Sequence, residues 1–194
     1  MVIGLGGLGS PVASYLAASG VGRLVISDFD SVHISNLQRQ TIFSSENIGE
    51  NKAIAAKKRL LEINPQIEIV SLSKLSSTEE LQEWIGNVDI VADCTDNLGA
   101  RLLINDICFL KKTMLVSGAA IKMEGQLIVI DPSNLDAPCY RCLYTTEEEI
   151  ESASCSESGI LGPIVGTVGC LQATEILKTL LGIGSSSVGK LITI

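Results

Sequence analysis

Gly4-Leu5-Gly6-Gly7-Leu8-Gly9 follows the apolar Met1-Val2-Ile3 and precedes a small-residue segment, Ser10 to Ala18. The stretch contains a GxGxxG between the end of a strand and the start of a helix. In that setting Gly4 makes the tight turn, Gly6 lets backbone approach a phosphate, and Gly9 lets the helix approach the strand. Gly7 bares still more backbone, and the N–H groups at the helix start favour an anion. The alternative is a tight turn that holds no ligand.

Working outward, strand and helix alternate. Leu24-Val25-Ile26 is a β-rich run, and Asn51 to Ile63 is helical with Ala53, Ala56, Leu60 and Leu61 on one side. Asn64-Pro65 stops that helix. Ile67 to Val70 is the next strand, and Thr78 caps a short helix carrying Leu81, Trp84 and Ile85 inward. Val88 to Asp93 is a buried strand, Asn97 to Leu110 a helix, and Met114 to Val116 a strand. Gly125 to Asp131 follows too closely for a crossover helix, so it joins antiparallel. Pro163 opens a long helix running to Leu181, and Gly189 to Ile194 reads as a last strand. The expected fold is α/β: a Rossmann-like, mostly parallel sheet with helices on both faces and added antiparallel strands. Residues 1–194 form a single domain, and 132–158 form an exposed, acidic excursion. Both ends read as cut from a longer protein.

Composition narrows the function. The 194 residues suffice for one sizeable core. A net charge of −8 disfavours nucleic acid and anionic membrane as partners. There is no basic n-region of a signal peptide and no run of about 18 uncharged apolar residues. Six cysteines without a secretory signal point to a reducing, cytoplasmic setting.

Several residues carry chemistry. Asp28 and Asp30 follow the second strand, where a ribose-binding carboxylate belongs; a solvated turn is the alternative. Arg39 lies in the polar stretch Ser35-Asn36-Leu37-Gln38-Arg39-Gln40, and its fork can take two phosphate oxygens at once. Lys52 starts a helix against the dipole, which a nearby anion would justify. Asp96 follows a strand C-terminus and can hold Mg²⁺. Asn97 beside it either bonds a nucleotide or caps the helix. Cys139-Tyr140-Arg141-Cys142 is a CxxC in a loop, half of a Cys₄ zinc site. Cys155 lies among serines and is either a nucleophile or an ordinary loop cysteine. Cys94, Cys108 and Cys170 fall in apolar surroundings and are expected in the core. Glycines plus Asp28 also suit a nicotinamide-binding oxidoreductase, but such a protein needs no arginine and lysine at a triphosphate.

Together these motifs, with Gly162-Pro163-Ile164-Val165-Gly166, resemble the MoeB/ThiF family, relatives of the ubiquitin-activating enzymes. Ser117 to Gln126 is most similar to the molybdopterin-synthase adenylyltransferase branch. The resemblance implies ATP-dependent adenylation of the C-terminal glycine of a small ubiquitin-like sulfur-carrier protein ending in Gly-Gly, in molybdopterin or thiamine biosynthesis, by a homodimer. By matching position Gly7, Asp28, Ser35, Asn36, Leu37, Gln38 and Asn97 bind nucleotide. Arg39 and Lys52 steady its phosphates, and Asp96 holds Mg²⁺. Cys155 matches a thiol that accepts carrier or sulfur in some members. The family's zinc is held by Cys139, Cys142 and a later CxxC that is not among these residues. Its N-terminal segment, which supplies an arginine across a dimer interface, is not among them either. A non-catalytic remnant of such a domain and an RNA-modifying dehydratase of the wider superfamily are the other readings.

Overall fold

A computed structural model describes residues 1–75, 77–144 and 159–194. Its strands are β1 (Val2–Ile3), β2 (Arg23–Ser27), β3 (Glu68–Leu72), β4 (Ile90–Asp93), β5 (Met114–Ile121), β6 (Glu124–Ile130) and β7 (Leu191–Thr193). The helices are α1 (Gly9–Ala18), α2 (Lys52–Ile63), α3 (Thr78–Gly86), α4 (Leu98–Lys111), α5 (Tyr140–Leu143) and α6 (Gly162–Leu181).

The strands form one sheet in the order β3-β2-β1-β4-β5-β6-β7. Pairing is parallel from β3 to β5, and antiparallel between β5 and β6 and between β6 and β7. The expected mixed α/β sheet is therefore present. Its order reverses at β1: the chain first winds outward through β2 and β3, then crosses to β4 on the other side. At such a switch point the loops leaving two adjacent strand ends part and open a crevice. Here those loops are the glycine loop after β1 and the Thr95–Asp96 turn after β4.

Alternating side chains divide the core into two layers. Val2, Leu24, Ile26, Leu127 and Val129 face the apolar sides of α1, α2 and α6. Ile3, Val25, Ile128 and Ile130 face those of α3, α4 and α5. Period-2 strands thus meet helical stripes on both faces. Helix α6 is long and apolar enough to span a bilayer by length and composition. In this fold its apolar side contributes Val165, Val168 and Ile176 to the first layer.

Caps set several helix starts. The Asn51 side chain accepts from Ile54 N–H at 3.2 Å and the Asn97 side chain from Ala100 N–H at 2.8 Å. Ser77, rather than Thr78, caps α3, accepting from Glu80 N–H at 3.2 Å. The serine is the residue with extended backbone, so its hydroxyl faces the free N–H groups. Pro163 sits in the first turn of α6, and Gly182, at φ 63°, ends it.

Candidate functional site

The glycine loop is shaped by close approaches. Gly4 has φ 89°, and a Cβ there would lie 2.7 Å from the Cys94 carbonyl oxygen. A Cβ on Gly9 would overlap the Gly4 carbonyl oxygen. Strand, turn and helix are therefore pressed together, as the motif requires. Gly7 faces Val165 and Arg39: a Cβ there would lie 2.5 Å from Val165 Cγ1 and 3.5 Å from Arg39 Cγ. A Cβ on Gly162 would lie 2.9 Å from the Gln38 carbonyl oxygen. Three segments distant in sequence thus meet: the loop, residues 35–40 and the start of α6.

Asp28 closes one side. Its Oδ2 accepts from Leu5 N–H at 2.7 Å and its Oδ1 from Asp30 N–H at 2.9 Å. Burial pushes its carboxyl above the usual carboxylate range, against the pull of those two N–H groups. The Asn51 side chain donates to the Asp28 and Asp30 carbonyls, fixing the turn to α2. The anion expected near Lys52 is Asp30: Lys52 is 5% exposed and its Nζ bonds Asp30 Oδ2 at 3.0 Å. A buried ammonium needs such a partner.

Residues 34–36 form a short 3₁₀ turn, Ile34–Asn36. The Asn36 Oδ1 accepts from His33 N–H at 3.2 Å, so this side chain also shapes its own loop. Arg39 is half-buried, and its Nη1 donates to the Ser35 carbonyl at 3.1 Å. Ser35 and Gln38 are exposed and Leu37 is half-buried. Leu37 packs on the first core layer, so its side chain is structural.

Across the crevice, Asp96 is exposed and its carboxylate has no hydrogen-bonding partner among the described residues. The turn before it is gripped from two sides. Asp93, fully buried, accepts from Thr95 N–H at 3.0 Å, Thr95 Oγ1 at 2.7 Å and Ser117 Oγ at 2.7 Å. Arg101, 7% exposed, donates to the Thr95 carbonyl at 2.5 Å, the Gly118 carbonyl at 3.0 Å and Tyr140 Oη at 3.3 Å. Asp93 and Arg101 were not among the sequence candidates. A carboxylate ending an apolar strand and an arginine one turn from Leu98 and Asn105 on α4's inner face are the signals that mark them. Asn97 caps α4, which is one of its two sequence readings.

The CxxC is not in a loop. Cys139 is the N-cap of α5 and Cys142 lies within it. This short helix is docked on α4: Tyr140 N–H donates to Asn105 Oδ1 at 3.0 Å, and Arg141 forks onto Asp106 at 2.7 and 2.6 Å. That fork holds the Asp106 carboxyl below the usual range. The Cys139 and Cys142 sulfurs are 3.7 Å apart. Two thiolates on one tetrahedral zinc, with bonds near 2.3 Å, stand about 3.8 Å apart. The pair fits one edge of such a site, but no group of three or more candidate ligands exists among the described residues. Cys155 lies outside the described residues. Between Asp96, Arg101, Ala119, Gly125, Tyr140 and Tyr144 opens a cavity of about 500 Å³. The Gln126 side chain bonds the Tyr144 hydroxyl at its edge.

Cys94 and Cys108 are buried as expected, whereas Cys170 is only half-buried, because its position on α6 turns partly from the sheet. Burial pushes the Cys108 thiol up to about 12 and the Cys94 thiol higher still. With iodoacetamide at pH 8 the native protein should modify Cys142 and Cys139 well before Cys94 and Cys108, which should stay unlabelled until unfolded. Peptide mass spectrometry reads this directly; early labelling of Cys94 would contradict the packing of β4.

A profile of the ThiF family matches residues 1–194. The chain is 44% identical over 192 residues to molybdopterin-synthase adenylyltransferase of Escherichia coli (strain K12), covering 99% of this chain and 76% of that protein. It is 44% identical over 183 residues to the sulfur carrier protein ThiS adenylyltransferase of the same organism, covering 94% of this chain and 72% of that one. Among solved structures, E. coli MccB with ATP superposes with a TM-score of 0.84 at 24% identity. That match covers 100% of this chain and 59% of MccB, and it is a likeness of fold.

Proposed function

The chain belongs to the ThiF family, and from that premise we propose that it is an adenylyltransferase that activates the C-terminal carboxylate of a small sulfur-carrier protein with ATP. The observation that carries this is the meeting of Gly7, Arg39 and Gly162 across the crevice from the open carboxylate of Asp96. Two relatives, each 44% identical, are named as adenylyltransferases of molybdopterin synthase and of the carrier ThiS.

In this reading the triphosphate lies over the glycine loop at the N-terminus of α1, with the ribose toward Asp28. One carboxylate oxygen of the carrier attacks the α-phosphorus. The new bond joins carboxyl oxygen to phosphorus, the bond from α-phosphorus to the bridging oxygen breaks, and pyrophosphate leaves with that electron pair. The attacked phosphorus gathers negative charge, so fixed cations lower the barrier. Arg39 presents its fork and Lys52 its ammonium. Lys52 has three N–H donors, so it can bond a phosphate while keeping Asp30.

Mg²⁺ would neutralise phosphate charge, and the exposed Asp96 carboxylate fits as its protein ligand. The carrier's tail enters through the cavity beside Asp96. The small side chain of Ala119 leaves room in the lining there, which suits a backbone without side chains. Cys139 and Cys142 contribute half of a structural zinc site, completed by two further ligands. Asn97 serves as helix cap and, through its exposed end, as a nucleotide contact. Cys155 is proposed as an acceptor thiol. The active species is a homodimer in the cytoplasm, where thiols stay reduced.

Thermal shift tests the nucleotide. Millimolar ATP with Mg²⁺ at about a hundred times its Kd stabilises the protein by ~2.7 kcal/mol, a rise of several degrees. NAD should give no shift. A shift with NAD and none with ATP would restore the oxidoreductase reading.

A further inference from the structure

Gln40 ends the polar segment 35–40 and is its most buried residue, 3% exposed. Its backbone N–H is used, bonding the Asn36 carbonyl at 3.0 Å. Its side chain is not: Oε1 is the one buried side-chain nitrogen or oxygen among the described residues with no hydrogen-bond partner. Leaving a buried amide acceptor open is costly, and folds keep such groups where a ligand or water completes them. The other end of the carboxamide points at the glycine loop, since a Cβ on Gly6 would lie 3.6 Å from Gln40 Nε2. Gly6 is the residue whose backbone approaches phosphate in this motif.

We propose that Gln40 is a triphosphate-binding residue. Its Nε2 donates to a phosphate oxygen above Gly6, and its Oε1 accepts from a water carried between the carboxamide and the phosphates. A carboxamide has both a donor and an acceptor end, so one side chain can do both. This rests on the reading of the loop as an ATP cradle. A purely structural glutamine would spend its acceptor inside the fold, as buried Gln172 does by accepting from Cys94 and donating to the Asp93 and Val116 carbonyls.

Gln40→Leu keeps the volume and removes both polar ends. Without nucleotide its Tm should equal or exceed that of the wild type, because the open acceptor is gone. Its Kd for ATP, by calorimetry on the full chain, should rise about tenfold. Its Kd for adenosine, which has no phosphates, should not change. Gln40→Glu, with a carboxylate facing the phosphates, should lose more than Gln40→Leu does. Wild-type ATP affinity in Gln40→Leu would overturn the proposal. So would a lowered Tm with equal losses for ATP and adenosine, which is the mark of a structural role. Failure of the wild type itself to bind ATP would instead overturn the cradle reading.

Discussion

Arg39→Ala should lower carrier-dependent ATP–pyrophosphate exchange about 10²–10³-fold, the range found when one fixed donor to a developing oxyanion is removed. Folding should survive. The side chain is half-buried and its one hydrogen bond among the described residues is to the Ser35 carbonyl, a group of its own short segment. Tm should therefore stay within a degree or two of wild type. Arg39→Lys keeps the charge but loses the planar fork, so it should recover only part of the rate. A rate in Arg39→Ala equal to wild type, with folding intact, would remove Arg39 from the phosphate site and leave the phosphates to Lys52, Gln40 and the loop's backbone.

Gly9→Ala should have the largest effect on stability. The new methyl would overlap the Gly4 carbonyl oxygen, and both groups are backbone of elements packed on the sheet. Nothing flexible is available to yield, so α1 must move off β1. Overpacking of this kind costs about 3 kcal/mol, which lowers Tm by roughly 6–12 °C in a chain of this size. The N-terminus of α1 shifts with it, and ATP affinity should fall as well. Gly6→Ala is the contrast. Its methyl would stand 3.6 Å from Gln40 Nε2, an ordinary contact, so Tm should hold while ATP binding weakens. Differential scanning calorimetry and ATP calorimetry on the two variants separate the packing glycine from the ligand-facing one. A Gly9→Ala protein with wild-type Tm would contradict the described approach of helix to strand.

The sheet and its switch point were legible because they rest on local pattern. Strands two to eight residues long with β-branched side chains alternate with helical stripes, and the short β5–β6 connection leaves no room for a crossover. The glycine loop was legible for the same reason. What was not legible depends on contacts far along the chain. The loop reading of Cys139–Cys142 failed because α5 is held by Asn105 and Asp106, 35 residues away, rather than by its own propensity. Lys52 announced an anion, but its identity as Asp30 follows from the turn that Asn51 fixes. Cys170 was read as core because its neighbours are apolar, yet α6 turns one side from the sheet. The open acceptor of Gln40 had no sequence signal at all, since a polar residue in a polar stretch shows its burial only in three dimensions.

The same distinction applies to the site. Of the candidate residues named by motif, Gly7 meets Arg39, Asp28 bonds the glycine loop at Leu5, and Asp96 lies on the neighbouring loop after β4. The residues that hold that loop, Asp93 and Arg101, carry no motif. They hold Thr95 by its N–H, hydroxyl and carbonyl, which fixes the backbone turn that carries Asp96. Arg101 also bonds the Tyr140 hydroxyl, which joins the cysteine-bearing helix to the same turn.

Exchange of labelled pyrophosphate into ATP tests the central claim most directly, because it runs only if an acyl-adenylate forms and reverses. With Mg²⁺ and a sulfur-carrier protein ending in Gly-Gly, label should enter ATP. It should not enter when the carrier's last glycine is removed. ATP binding with no exchange in the presence of carriers from either the molybdopterin or the thiamine pathway would contradict the account.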